Sequence, residues 1–63
     1  MWFLRAIEQD DGRWACRHGS HQFDTHGELR AAIIHLRELA KEFDPSTLFV
    51  HRLDGTIESL PAV

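Results

Sequence analysis

A lone cysteine, no long apolar run and no excess of positive charge set the limits of this chain before any motif is considered. Cys16 has no second cysteine to pair with, so no internal disulfide can staple the fold. A membrane-spanning helix needs roughly 20 consecutive apolar residues, and no run here comes near that, so no membrane insertion is expected. The Met1 start lacks the apolar core of a secretory signal, which together with the unpaired cysteine predicts a reducing, cytoplasmic setting. The formal charge of −3 argues against the broad attraction to phosphate that drives non-specific nucleic-acid binding. Length is short as well: 63 residues leave no room for a second domain, so residues 1–63 are read as one. A domain of this size buries only about 60% of its unfolded surface. With no disulfide, the stability it needs must come from close packing or from self-association.

The composition itself is that of a folded chain, with 43% hydrophobic and 27% charged residues. Residues 2–8 are rich in strand formers, and Gln9-Asp10-Asp11-Gly12 supplies a turn, so a hairpin returns over residues 13–18. Alternation along that return puts Trp14, Cys16 and His18 on one face. Gly19-Ser20 then breaks the strand, and His21 to Asp24 reads as a crossing to a helix. Thr25 followed three positions later by Glu28 has capping-box spacing, which predicts a helix from about residue 26 to residue 43. Successive 100° steps gather Leu29, Ala32, Ile33, Leu36, Leu39, Ala40 and Phe43 into one apolar stripe. Asp44-Pro45 ends the helix. Residues 47–52 and 56–60 read as strands around the Asp54-Gly55 turn.

The expected fold is therefore α+β: a two-layer sandwich in ββαββ order, with an antiparallel four-stranded sheet and one helix on one face. One helix covers only one side. A half-solvated sheet should alternate cleanly between apolar and polar residues. These strands instead offer apolar groups on both faces, such as Leu4 and Ala6 against Phe3 and Ile7, or Phe49 against Leu48 and Val50.

The run Asp11-Gly12-Arg13-Trp14, then Gly19, Phe23-Asp24-Thr25, Leu39-Ala40 and Val50-His51-Arg52-Leu53-Asp54-Gly55-Thr56-Ile57, resembles a small bacterial family known as domain of unknown function 2188. The likeness spans about residues 10–58 and is most specific over His51 to Ile57. It implies a Trp-containing strand, a helix and a terminal Asp-Gly hairpin. It implies no activity, and no site residue is carried over.

Candidate sites follow from residues that fit the fold poorly. Five histidines are present, and His18, His21 and His26 fall within a nine-residue span beside Cys16. Cys16 and His18 share a strand face and are the pair from which a metal site or an activated thiol would be built. The spacing matches no compact zinc knuckle, however, so no cofactor and no metal are assigned. No base, orienter and oxyanion donors can be named as a set, so the chain is read as a non-enzyme.

Ile34 lies opposite the apolar stripe, among Arg30, Arg37 and Lys41. That basic strip is the alternative site for nucleic acid, although three charges interrupted by Glu38 make a weak one. The second sheet face, with Phe3 and Ile7, is the remaining candidate for an interface. Arg5, Arg17 and Arg52 could instead lay their aliphatic stems across it. The preferred function is a small cytoplasmic interaction or accessory module, forming a homodimer or binding a protein partner through Phe3, Ile7 and Ile34.

Overall fold

Every strand-forming run named above pairs into a single sheet, and one further strand joins it. The computed structural model describes residues 1–61. Its elements are β1 (Trp2–Glu8), β2 (Trp14–His18), β3 (His21–His26), α1 (Leu29–Glu42), β4 (Ser46–His51) and β5 (Ile57–Leu60). The sheet order is β3-β2-β1-β4-β5, with α1 packed on one face.

The antiparallel four-stranded sheet is thus corrected to a five-stranded mixed one. β1 pairs antiparallel with β2 and β2 with β3, whereas β1 pairs parallel with β4, from Trp2↔Ser46 to Ile7↔His51. One cause accounts for both errors. His21 to His26 is not a crossing but a strand, joined to β2 by the two-residue Gly19-Ser20 turn with Gly19 at φ 58. Positive φ at the first turn residue is what a tight hairpin requires and what glycine tolerates best. A third strand reverses the chain once more before the helix. The helix then returns it so that β4 runs alongside β1 in the same direction.

The same strand displaces the helix start. Thr25 belongs to β3, where its hydroxyl accepts a 3.4 Å hydrogen bond from Arg13 Nη2. Glu28 is the N-cap, with extended backbone (φ −132, ψ 144) and no side-chain cap, so the capping box does not form. The helix is therefore 14 residues long.

Its apolar stripe behaves as the spacing predicts. Ala32, Leu36 and Ala40 are buried against Leu4, Ala6, Trp14, Cys16, Leu48 and Val50, while Leu29, Ile33, Leu39 and Phe23 pack around them. Phe43, just past the helix, places its ring 4.4 Å from that of Trp2. Complete burial of one leucine such as Leu36 is worth roughly 1.5–3 kcal/mol. No polar residue is buried in this core among the described residues.

Candidate functional site

Side-chain alternation sends Phe3, Arg5 and Ile7 of β1 away from the helix, with Ala15 and Arg17 of β2 and Thr47, Phe49 and His51 of β4 beside them. The sequence leaves open which alternating set of β4 faces outward, and Leu48 and Val50 are the set buried beneath the helix. Phe3 is 46% exposed, and its ring lies 6.1 Å from that of Phe49. Ile57 extends the apolar area on β5 at 63% exposure.

The charge on this face is of one sign. Arg5 and Arg17 are directly opposite one another across β1 and β2, and Phe49 adjoins Arg5 on the other side. Like charges in register disfavour the pairing. The carboxylates of the strands all lie on the helix side: Glu8 opposite Trp14, Asp24 opposite Cys16, and Glu58 opposite Val50. Arg5 Nε, Arg17 Nε and His51 Nε2 are each buried without a hydrogen-bond partner among the described residues. Such groups cost free energy when left unpaired. A face with two arginine forks, an imidazole and a phenylalanine pair is suited to carboxylate or phosphate oxygens carried on an apolar surface.

The helix residues singled out from sequence fall elsewhere. Arg30, Ile34 and Arg37 line a shallow groove of about 530 Å³ with Leu29, Ile33 and Leu60. Ile34 is 54% exposed there, as the helical spacing requires. Lys41 forms an exposed 3.8 Å ion pair with Glu38, so the basic strip is partly neutralised.

The Cys16–His18 pair does not assemble as a site. His18 lies against Trp2, with ring centroids 4.5 Å apart. His21 stacks edge-on to Phe23 at 4.6 Å. Cys16 is gathered instead with His26, at the end of β3, and His35, in the middle of α1. One ligating atom from each lies within 4.8 Å of the others. His26 Nε2 and His35 Nδ1 share a hydrogen bond of 2.9 Å, and the Cys16 thiol donates to the Ala32 carbonyl at 3.5 Å. Burial, reinforced by the charge of Asp24, pushes this thiol from 9.0 up to about 11, so it is a neutral and poorly nucleophilic group.

Sequence reasoning treated Arg5 and Arg17 only as covering stems and passed over Phe49, His51 and His35 as site residues. The alternation of β1, β2 and β4 carried the signal for the first four. His35 carried none, because its meeting with Cys16 depends on how the helix sits across the sheet.

No helix of the described residues is long and apolar enough to cross a membrane. No curated protein and no solved structure matches this chain. The pattern of DUF2188, described as an uncharacterized protein conserved in bacteria, matches residues 6–59, which include the last three residues of β1, all of β2, β3, the helix and β4, and most of β5, while Phe3 and Arg5 lie before the matched segment. The chain therefore belongs to the DUF2188 family of bacterial proteins.

Proposed function

We propose that this domain is a non-catalytic interaction module of the bacterial cytoplasm whose open sheet face receives an acidic, partly apolar surface of another protein. One observation carries the reading. The open face presents Arg5, Arg17 and the Phe3–Phe49 pair, and every strand carboxylate lies on the opposite side of the sheet, in a chain with ten acidic residues against seven Lys and Arg. Partner carboxylates would meet the outer nitrogens of the Arg5 and Arg17 guanidinium groups, one of which, Arg17 Nη2, already donates to the Ser20 carbonyl at 3.2 Å, and the phenylalanines would bury against apolar side chains between them. A second copy is the poorer occupant of this face, because a two-fold contact applies the same patch to itself and would set arginines against arginines. Nucleic acid has the right charge as well, and is therefore the second arm of the test. The buried, neutral Cys16 thiol supports the non-catalytic reading and suits a reducing compartment.

The test is a fluorescence-anisotropy titration of labelled polyglutamate and of a mixed-sequence single-stranded oligonucleotide at low salt. Binding of polyglutamate that is lost in an Arg5→Glu, Arg17→Glu double variant and retained in Arg30→Glu, Arg37→Glu supports the reading. Binding that depends on the helix arginines, or that is stronger for the oligonucleotide, refutes it.

A further inference from the structure

Three elements distant in sequence bring one soft and two borderline donors to a single point between sheet and helix. Cys16 comes from β2, His26 from the end of β3 and His35 from α1. We propose that Cys16, His26 and His35 form a binding site for a late first-row divalent cation, zinc above all.

The geometry is close to what such an ion demands. Tetrahedral zinc with bonds of about 2.0–2.1 Å to nitrogen and 2.3 Å to sulfur places its donor atoms about 3.3–3.6 Å apart. The three side chains present donors within 4.8 Å of one another, and the two imidazole nitrogens already approach to 2.9 Å through a shared proton. A cation taking the place of that proton needs the nitrogens to part by about 0.4 Å to reach tetrahedral spacing. His26 has room to make that adjustment, because it ends its strand and is followed by the exposed Gly27, about which nothing lies within 4 Å of a would-be side chain.

The donor set determines which ion. A thiolate with two imidazoles selects against magnesium and calcium, which require oxygen, and favours zinc and its soft or borderline neighbours. Coordination proceeds without redox change: the thiol loses its proton to solvent as the sulfur–metal bond forms, and the imidazole that donates in the metal-free pair takes its proton on its other ring nitrogen by exchange with solvent, so both rings bind the ion as neutral ligands. In the metal-free site, burial and Asp24 both disfavour the thiolate. With the ion present the site is net positive, and the same Asp24 becomes favourable. His26 and His35 are only half-buried, so the fourth position is open to water, the arrangement of three protein ligands plus solvent. The ion would tie β2, β3 and α1 together in a chain too short to have a large core and without a disulfide.

The experiment uses the full 63-residue chain, purified without a histidine tag and stripped of metal. It is titrated with zinc against a chromophoric chelator and, separately, with cobalt(II) as a spectroscopic probe. One equivalent should bind, the cobalt form should show a thiolate-to-metal charge-transfer band in the near ultraviolet, and zinc should raise the thermal midpoint. His26→Gln and His35→Gln should each weaken zinc binding more than about 100-fold, beyond the loss typical of groups that merely orient a ligand. These half-buried residues can be replaced without opening the core, so the test does not depend on a folded Cys16 variant. His18→Gln and His21→Gln should bind as the native chain does. A cobalt complex lacking the thiolate band, full affinity in His35→Gln, or loss of affinity in His18→Gln would overturn the site.

Discussion

The two faces of one sheet are built to opposite rules. Beneath the helix, Leu4, Leu36 and Leu48 are fully buried, and among the described residues no polar one is buried with them. On the other side, apolar rings stand half in solvent beside arginines that face each other across a strand pair. The first arrangement lowers the free energy of the folded chain. The second raises it slightly, through like charges in register and unpaired polar nitrogens. Stability explains the covered face completely and leaves the open one unexplained, which is why function is sought there.

If that contrast is sound, mutations on the two faces must differ in size and in sign. Leu36→Ala removes a fully buried side chain at the centre of the stripe and should cost about 2–5 kcal/mol, enough to unfold much of a domain this small, as read by urea denaturation. Phe3→Ser, at 46% exposure, should cost under about 1 kcal/mol in the same measurement. Arg17→Glu should go the other way. It converts the repulsive Arg5–Arg17 pair into an attractive one and, even with the exposed 3.2 Å bond from Arg17 Nη2 to the Ser20 carbonyl lost, should raise stability by up to about 1 kcal/mol while weakening binding of an acidic probe. A destabilised Arg17→Glu variant would mean that Arg17 serves the fold.

The smallest expected effect lies in the β4–β5 hairpin and serves as a control distant from both faces. Asp54 accepts hydrogen bonds from the backbone N–H and the hydroxyl of Thr56, which hold its carboxyl below its ordinary value of 3.8. A carboxyl lowered in the folded state contributes stability that is complete above its unfolded value and is lost as pH falls through the folded one. Asp54→Asn should therefore flatten the acid limb of the stability profile below about pH 4, by slightly lowering the neutral plateau toward the acid value. An acid limb identical to that of the native chain would show that the turn carboxylate plays no part.

The architecture was readable wherever pattern and burial agree. The stripe of α1 and the inward alternation of Trp14 and Cys16 both follow from the order of residues, because apolar period reports the buried side. The third strand was hidden for the complementary reason. His21 to His26 has a single apolar residue, Phe23, and its register shifts between Cys16 and Arg17 so that Phe23 is the residue skipped in the pairing. An edge strand of this kind has little apolar period to detect, and the Thr25–Glu28 spacing imitated a helix start. Gly19-Ser20 was the signal that favoured a hairpin, since a glycine followed by serine between two extended segments is a two-residue turn. Missing one strand changed the parity of chain reversals, and so the direction of β4. The sites followed the same division. Phe3 and Ile7 were visible as apolar residues out of phase. The Arg5–Arg17 opposition needed the hairpin register, and the meeting of Cys16, His26 and His35 needed the packing of helix on sheet.

Backbone amide shifts of the nitrogen-15-labelled protein, followed by NMR during titration with polyglutamate, locate the binding face residue by residue. The shifts should concentrate on Phe3, Arg5, Arg17, Phe49 and His51 and leave Arg30, Ile34 and Arg37 in place. Shifts confined to the helix groove, or none at all, would contradict a binding role for the open sheet.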